Sequence, residues 1–228
     1  MSELLHLAEH RLQEGALLFM AGAYTIRLIW LFRWPLGRDR QPPNPRPRTT
    51  PGKGSLYSLA AIGMPWAMEA SRRDPWFYVQ FATFHTGVTA SIVLSLVIPY
   101  APRWLESAAL VRLFQVAIAA AFVVACLRMA RRVTNRAVRA ISTPDDYFSL
   151  GLLAVWFLLG VAAAPNSTAH GEWPLLAFFL LTAFFLVYVP FSKISHYLYY
   201  PFGRFYLGRT LGHRGVFPLE TRPGANRA

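Results

Sequence analysis

The sequence predicts an all-α integral membrane protein with five transmembrane helices, the N-terminus outside and the C-terminus in the cytoplasm. Three observations carry that prediction. Of 228 residues 54% are hydrophobic, with a formal net charge of +12 and a mean hydropathy of +0.32, a pairing soluble domains rarely show. Five apolar stretches approach the roughly 20 residues a helix needs to span hydrocarbon. The cations fall in blocks between those stretches rather than along one face of a domain, which argues topology and against a nucleic-acid footprint.

The first span is placed at about Gly15–Phe32, the second at about Trp76–Tyr100 and the third at about Ala108–Leu127. The fourth is placed at about Tyr147–Ala164 and the fifth at about Trp173–Tyr200. Proline-rich or polar segments separate them: PPNPRPRTTPGKG, PYAPRW, STPDD and APNSTAHGEW. Lys and Arg mark the cytoplasmic side. Eight lie from Arg33 to Arg73, five from Arg128 to Arg139 and six from Lys193 onward, including Arg204, Arg222 and Arg227. Only Arg11, Arg27, Arg103 and Arg112 lie elsewhere.

The whole chain is therefore expected to be a single membrane domain with a basic cytoplasmic tail over 204–228. Residues 55–75 are too short and interrupted to span. Tyr57, Met64, Trp66 and Met68 set against Glu69, Arg72 and Arg73 predict a helix lying in the cytoplasmic interface, which could dock a partner or rest on headgroups. The opening MSELLHLAEHRLQEG carries three acids and no basic n-region, so no signal peptide is expected. The single Cys126 excludes a disulfide framework or a cysteine metal site.

Ionisable residues at membrane depth are costly and usually functional. His6, His10, His170 and His213 lie outside the predicted spans and read as solvated. His85, in FATFHTGVTAS of the second span, and His196, near the cytoplasmic end of the fifth, do not. Gly87, two residues after His85, would let a flat ring approach the backbone. At 1.5 Å per residue His85 is about 14 Å from Trp76 and His196 about 8 Å from Pro201, about one turn of difference and compatible with a shared ligand plane. Two imidazoles on antiparallel helices suit the axial positions of a b-type haem iron; for either histidine alone, an interhelical hydrogen bond is the plainer use. Lys193, Arg204 and Arg27 are candidate cations for haem propionates, Arg27 reading first as a cation that snorkels to the interface.

The stretches FHTGV, RAVRAISTPDDYFSLGLLAVWFLLG and VPFSKISHYLYYP resemble the cytochrome b membrane subunit of respiratory nitrate reductase, its gamma subunit, and related subunits of heterodisulfide-reductase-like and sulfite-reduction-associated quinone complexes. The similarity spans most of about Phe81–Pro201. It implies a four-helix core holding haem b in a bacterial inner membrane, with His85 and His196 ligating the cytoplasmic-side haem. The family's second, outer-side haem needs histidines at positions that fall here on Ser95 and Phe178, neither an iron ligand. The resemblance therefore implies one haem; either quinone then binds near it on the cytoplasmic side, the favoured reading with Lys193 and Tyr197 as candidates, or another subunit supplies the missing step. It also implies a cytoplasmic iron–sulfur or flavin partner that carries the substrate chemistry, the chain being not catalytic alone. Loss of one ligand pair keeps a second reading in view: a haem-free anchor for a cytoplasmic redox complex. A small transporter fits poorly, because no inverted repeat is visible.

Overall fold

Helix is the only regular structure among the described residues, 84% of which are helical. That is the expected answer for a chain whose apolar runs must satisfy every backbone polar group internally. The computed structural model describes residues 2–37, 39–43, 49–169, 171–215 and 217, with Ala70 described by its backbone alone. Arg38, Arg46 and Arg48, counted above, lie outside the described residues, as do His170, Arg222, Arg227 and the rest of the tail from 218 onward.

The first helix starts a full three turns before the predicted Gly15. α1 (Glu3–Leu7) begins at Ser2, whose hydroxyl accepts the Leu5 N–H, with Glu3 in the first turn. A π turn over Ala8–Leu12 leads into α2 (Gln13–Phe32). Thr50 caps α3 (Pro51–Ala60), and two 3₁₀ turns lead to the short α4 (Glu69–Arg73). α5 is Pro75–Tyr100. α6 (Ala108–Thr134), capped by Ser107, outruns the predicted Leu127 by about two turns, because arginine is a good helix former. Asn135 ends it and caps α7 (Arg136–Ala140).

α8 (Pro144–Ala163) starts at Thr143 rather than Tyr147. α9 (Trp173–Tyr188) gives way to two 3₁₀ turns before α10 (His196–His213). Five helices are long and apolar enough to cross a membrane: Glu3–Phe32, Pro75–Tyr100, Ala108–Thr134, Pro144–Ala163 and Trp173–Phe191. The last corrects the predicted fifth span. Pro190 cannot donate to the helix ladder and Ser192 is extended, so the helix stops at Phe191 and residues up to Tyr200 belong to a new one.

Contacts divide the chain into two compact units, residues 1–27 with 77–195 and residues 28–76 with 196–228. In the first, α8 lies along α6 and α9, while α1 and the π turn lie along α9. Its core is aromatic. Trp156 stacks on Phe178 with ring centroids 6.0 Å apart, and Phe157, Phe178 and Phe179 are fully buried. The Trp156 indole N–H donates to Thr182 Oγ1 (2.8 Å), whose hydroxyl donates to the Phe178 carbonyl (2.7 Å).

The second unit is organised by α3 against α10. Gly54 and Gly208 face each other so closely that a Cβ on either would collide with the other's backbone, and one on Gly212 would sit 2.5 Å from the Thr50 carbonyl. Small residues let helix backbones approach to this degree. Arg204 Nε donates to the Ser58 carbonyl (3.0 Å) and Ser55 Oγ to that of Phe205 (3.3 Å). Segment 55–75 is thus several short pieces, whose first helix turns a face to α10 instead of lying alone on headgroups. Arg214 closes this unit by donating to both Asp39 oxygens, at 2.7 and 3.1 Å.

Two outcomes are expected. Gly208→Val forces α3 and α10 apart and costs about 1–3 kcal/mol, the usual range for overpacking, measured as faster proteolysis between residues 49 and 76. The Arg214 hydrogen bonds, with the Gln41 N–H, hold the Asp39 carboxyl below its usual 3.8. Because its native value is depressed, this contact stabilises fully above that usual value and is lost as pH falls through the lower native one. Acid unfolding of Asp39→Asn should therefore lose pH dependence only at this acidic end, with no difference in slope near neutrality.

Candidate functional site

His85 sits three turns into α5, half-buried. Its Nδ1 lies 2.8 Å from the carbonyl of Phe81, one turn back. A carbonyl only accepts, so Nδ1 carries the proton and, in the neutral ring, Nε2 carries the lone pair. That is the tautomer of an imidazole that ligates through Nε2, oriented by a hydrogen bond to its other nitrogen. The ring is sleeved by aromatics: Phe81 with centroids 4.2 Å away, and Phe84 edge-on at 5.8 Å.

Arg128 completes this wall. Its guanidinium lies 4.9 Å from the Phe84 ring centre and 6.0 Å from that of Phe77. The sequence counts Arg128 only as a topological charge, yet its place was readable. Ala117, Ala121, Ala125 and Arg128 recur at helical spacing and share one face of α6. Gly87 meets that face: a Cβ there would collide with Ala121 and stand 2.9 Å from the Ala117 carbonyl. The room expected beside Gly87 for a flat ring is therefore filled by a helix, and its missing side chain serves helix packing.

The other predicted residues fall in both units. His196 is the exposed first residue of α10, with Tyr197 exposed beside it, and both belong to the second unit while His85 belongs to the first. Arg204 is in the second unit, where it ties α10 to α3. Arg27 lies with its guanidinium 5.6 Å from the ring centre of Phe191. Lys193 bonds to Thr143 Oγ1 and Asp146 Oδ2, both at 2.8 Å. These contacts give Arg27, Lys193 and Arg204 structural tasks that the sequence did not foresee.

Ser95 and Phe178, the positions that lack histidine, are buried in the first unit. Ser95 spends its hydroxyl on the Ile92 carbonyl, and its own carbonyl accepts the Gln13 amide at 2.9 Å. Phe178 is part of the aromatic stack. Among the described residues no three His, Cys, Asp or Glu side chains gather as a metal cage. The Gly208–Gly212 spacing in GRTLG was a further missed signal, a G-x-x-x-G helix-packing motif inside what was read as a tail.

No family model matches the chain, and no solved structure matches it. It is 27% identical over 206 residues to a curated protein of Nitratidesulfovibrio vulgaris strain Hildenborough, named only "Protein", covering 85% of this chain and 87% of the relative. The likeness thus runs through nearly the whole length of both.

The Lys193 contact separates structural from cofactor roles. Lys193→Met should lower stability by about 0.5 kcal/mol, as for a partly exposed ion pair. Asp146→Ala should cost about 1 kcal/mol or more, because it also strips the acceptor from the start of α8. Thermal unfolding of the two variants in one detergent measures both.

Proposed function

We propose that the chain is the haem b membrane subunit of a quinone-linked respiratory oxidoreductase in a bacterial inner membrane, with its N-terminus outside and its C-terminus in the cytoplasm. In this reading one haem b is held by His85 and His196. Electrons pass between the quinone pool and a cytoplasmic iron–sulfur or flavin partner that carries the substrate chemistry. The single observation that supports it most is the His85 ring: half-buried in an apolar span, fixed by the Phe81 carbonyl, with its lone pair on Nε2.

When bound, haem b supplies reversible one-electron chemistry at a potential set by its ligands and their surroundings. The chain's own residues then have separable tasks. Phe81 holds the His85 tautomer, Phe81 and Phe84 exclude water from it, and Arg128 places a cation one ring away. His196 offers the second imidazole from the start of α10. Tyr197 beside it is the candidate for the quinone on that side, Lys193 being engaged with Thr143 and Asp146. Quinone chemistry and proton exchange on one face make the reaction electroneutral.

Ser95 and Phe178 support the count of one. Both are buried and hydrogen-bonded or stacked within the protein, so the second ligand pair is replaced by packing. A second reading, the haem-free anchor, is favoured by the structural contacts of Lys193 and Arg204 and by the helix against Gly87.

Single substitutions divide the readings. His85→Ala and His196→Ala should each abolish the b-type absorbance of the purified protein, while His213→Ala leaves it unchanged. A spectrum indifferent to His85→Ala would leave the anchor reading standing.

A further inference from the structure

The end of the first unit that carries Tyr100 buries polar groups with no evident structural partner. Glu9 is 4% exposed and Gln13 1%, both on the helix that carries the π turn over Ala8–Leu12; such turns often mark functional positions. The Gln13 amide nitrogen donates to the Ser95 carbonyl (2.9 Å), which fixes the side chain against α5. Its oxygen is buried and finds no hydrogen-bond partner among the described residues. The same holds for Ser91 Oγ, one turn further along α5 and fully buried. Among the described residues the Glu9 carboxyl makes no hydrogen bond or ion pair, and Glu172 is a second acid acting on it.

Buried polar atoms in proteins are almost always satisfied, by ordered water where the protein supplies no partner. Gln13 Oε1 needs a donor, which an O–H provides. An unpaired carboxylate out of water is costly, and taking up a proton removes that cost. Charged and titratable groups act on this place from several elements, the amino-terminal charge among them. Glu172 stands at the start of α9, and Tyr100 of α5 donates to Glu14 at 2.8 Å. On the same helix the His6 and His10 rings lie tilted with centroids 4.7 Å apart, and Arg11 is exposed. Along α5, Ser91 is six residues, about 9 Å of rise, from His85.

We propose that Glu9, Gln13, Ser91 and Ser95 form a hydrated proton-exchange site, in which Glu9 takes and returns the proton and Gln13 and Ser91 hold the water that delivers it. The step is proton transfer alone: an O–H bond forms on the carboxylate as one breaks on water, and reverses, with no change of oxidation state. The half of the helix bundle without the second ligand pair thereby keeps a polar route from its surface toward the span that carries His85. The site stands independently of any haem.

The test is infrared spectroscopy of the full-length chain in uncharged-lipid liposomes. Wild type should show the C=O stretch of a protonated carboxyl that shifts on transfer to D₂O, and Glu9→Gln should lose it. Gln13→Leu and Ser91→Ala, with helicity unchanged by circular dichroism, should slow that shift about tenfold, the scale of one lost buried hydrogen bond. A band that survives Glu9→Gln, a wild-type band indifferent to D₂O, or exchange as fast in both other variants overturns the proposal. Should Glu9→Gln fail to fold, Glu9→Asp serves instead: its band must move in frequency, and an unmoved band has the same meaning.

Discussion

Two adjacent carboxylates, Asp145 and Asp146, hold the first unit together at one end. Asp146 Oδ2 accepts the Thr143 N–H (2.7 Å), its hydroxyl (2.9 Å) and Lys193 Nζ (2.8 Å), while Arg132 of α6 stands 3.8 Å from Oδ1. Asp145 Oδ1 accepts the hydroxyl of Tyr188, and Oδ2 the backbone N–H of Lys193 at 3.3 Å. Two acids at the start of α8 thus collect the end of α6, the end of α9 and the turn beyond it. Acids there also complement the helix dipole; Asp146 is paired with Lys193, and Asp145 is met by hydrogen bonds alone among the described residues. Tyr188 and Lys193 are so held within the first unit, and His196 begins a helix of its own.

Between helices the packing has a different basis. In lipid, apolar side chains gain little by touching each other rather than acyl chains, so close backbone approach and buried hydrogen bonds carry association. Gly87 against Ala117 and Ala121 is one such contact, and Gly54 against Gly208 is another. The first has a functional corollary. By bringing α6 against α5 it sets Arg128 over Phe84, so the cation beside the His85 sleeve follows from a glycine two residues along.

The spans were legible because length and hydropathy are local properties; the caps at Ser107 and Thr143 were not read. Their ends were harder. Arginines extend α6 past its apolar run, and Pro190 with Ser192 stops α9 where hydropathy alone continues. His85 was legible as an ionisable group in an apolar run; its hydrogen bond to Phe81, four residues away, follows from helical spacing. Lys193 was read as a propionate partner because its own partners, Thr143 and Asp146, lie nearly fifty residues earlier. The same distance problem hid the use of Gly87, while GRTLG was readable and passed over because a basic tail suggested loop. The burial of Glu9 and Gln13 was not read, because the first helix was started too late.

The central proposal is a single haem b held by His85 and His196. It is tested most directly by the haem-to-protein ratio of the purified protein, by pyridine haemochrome, read with its reduced-minus-oxidised spectrum. A ratio near one with one b-type band is the expected result. A ratio of two would contradict the packed roles given to Ser95 and Phe178, and no haem at all would contradict the assignment of His85 and His196 as ligands.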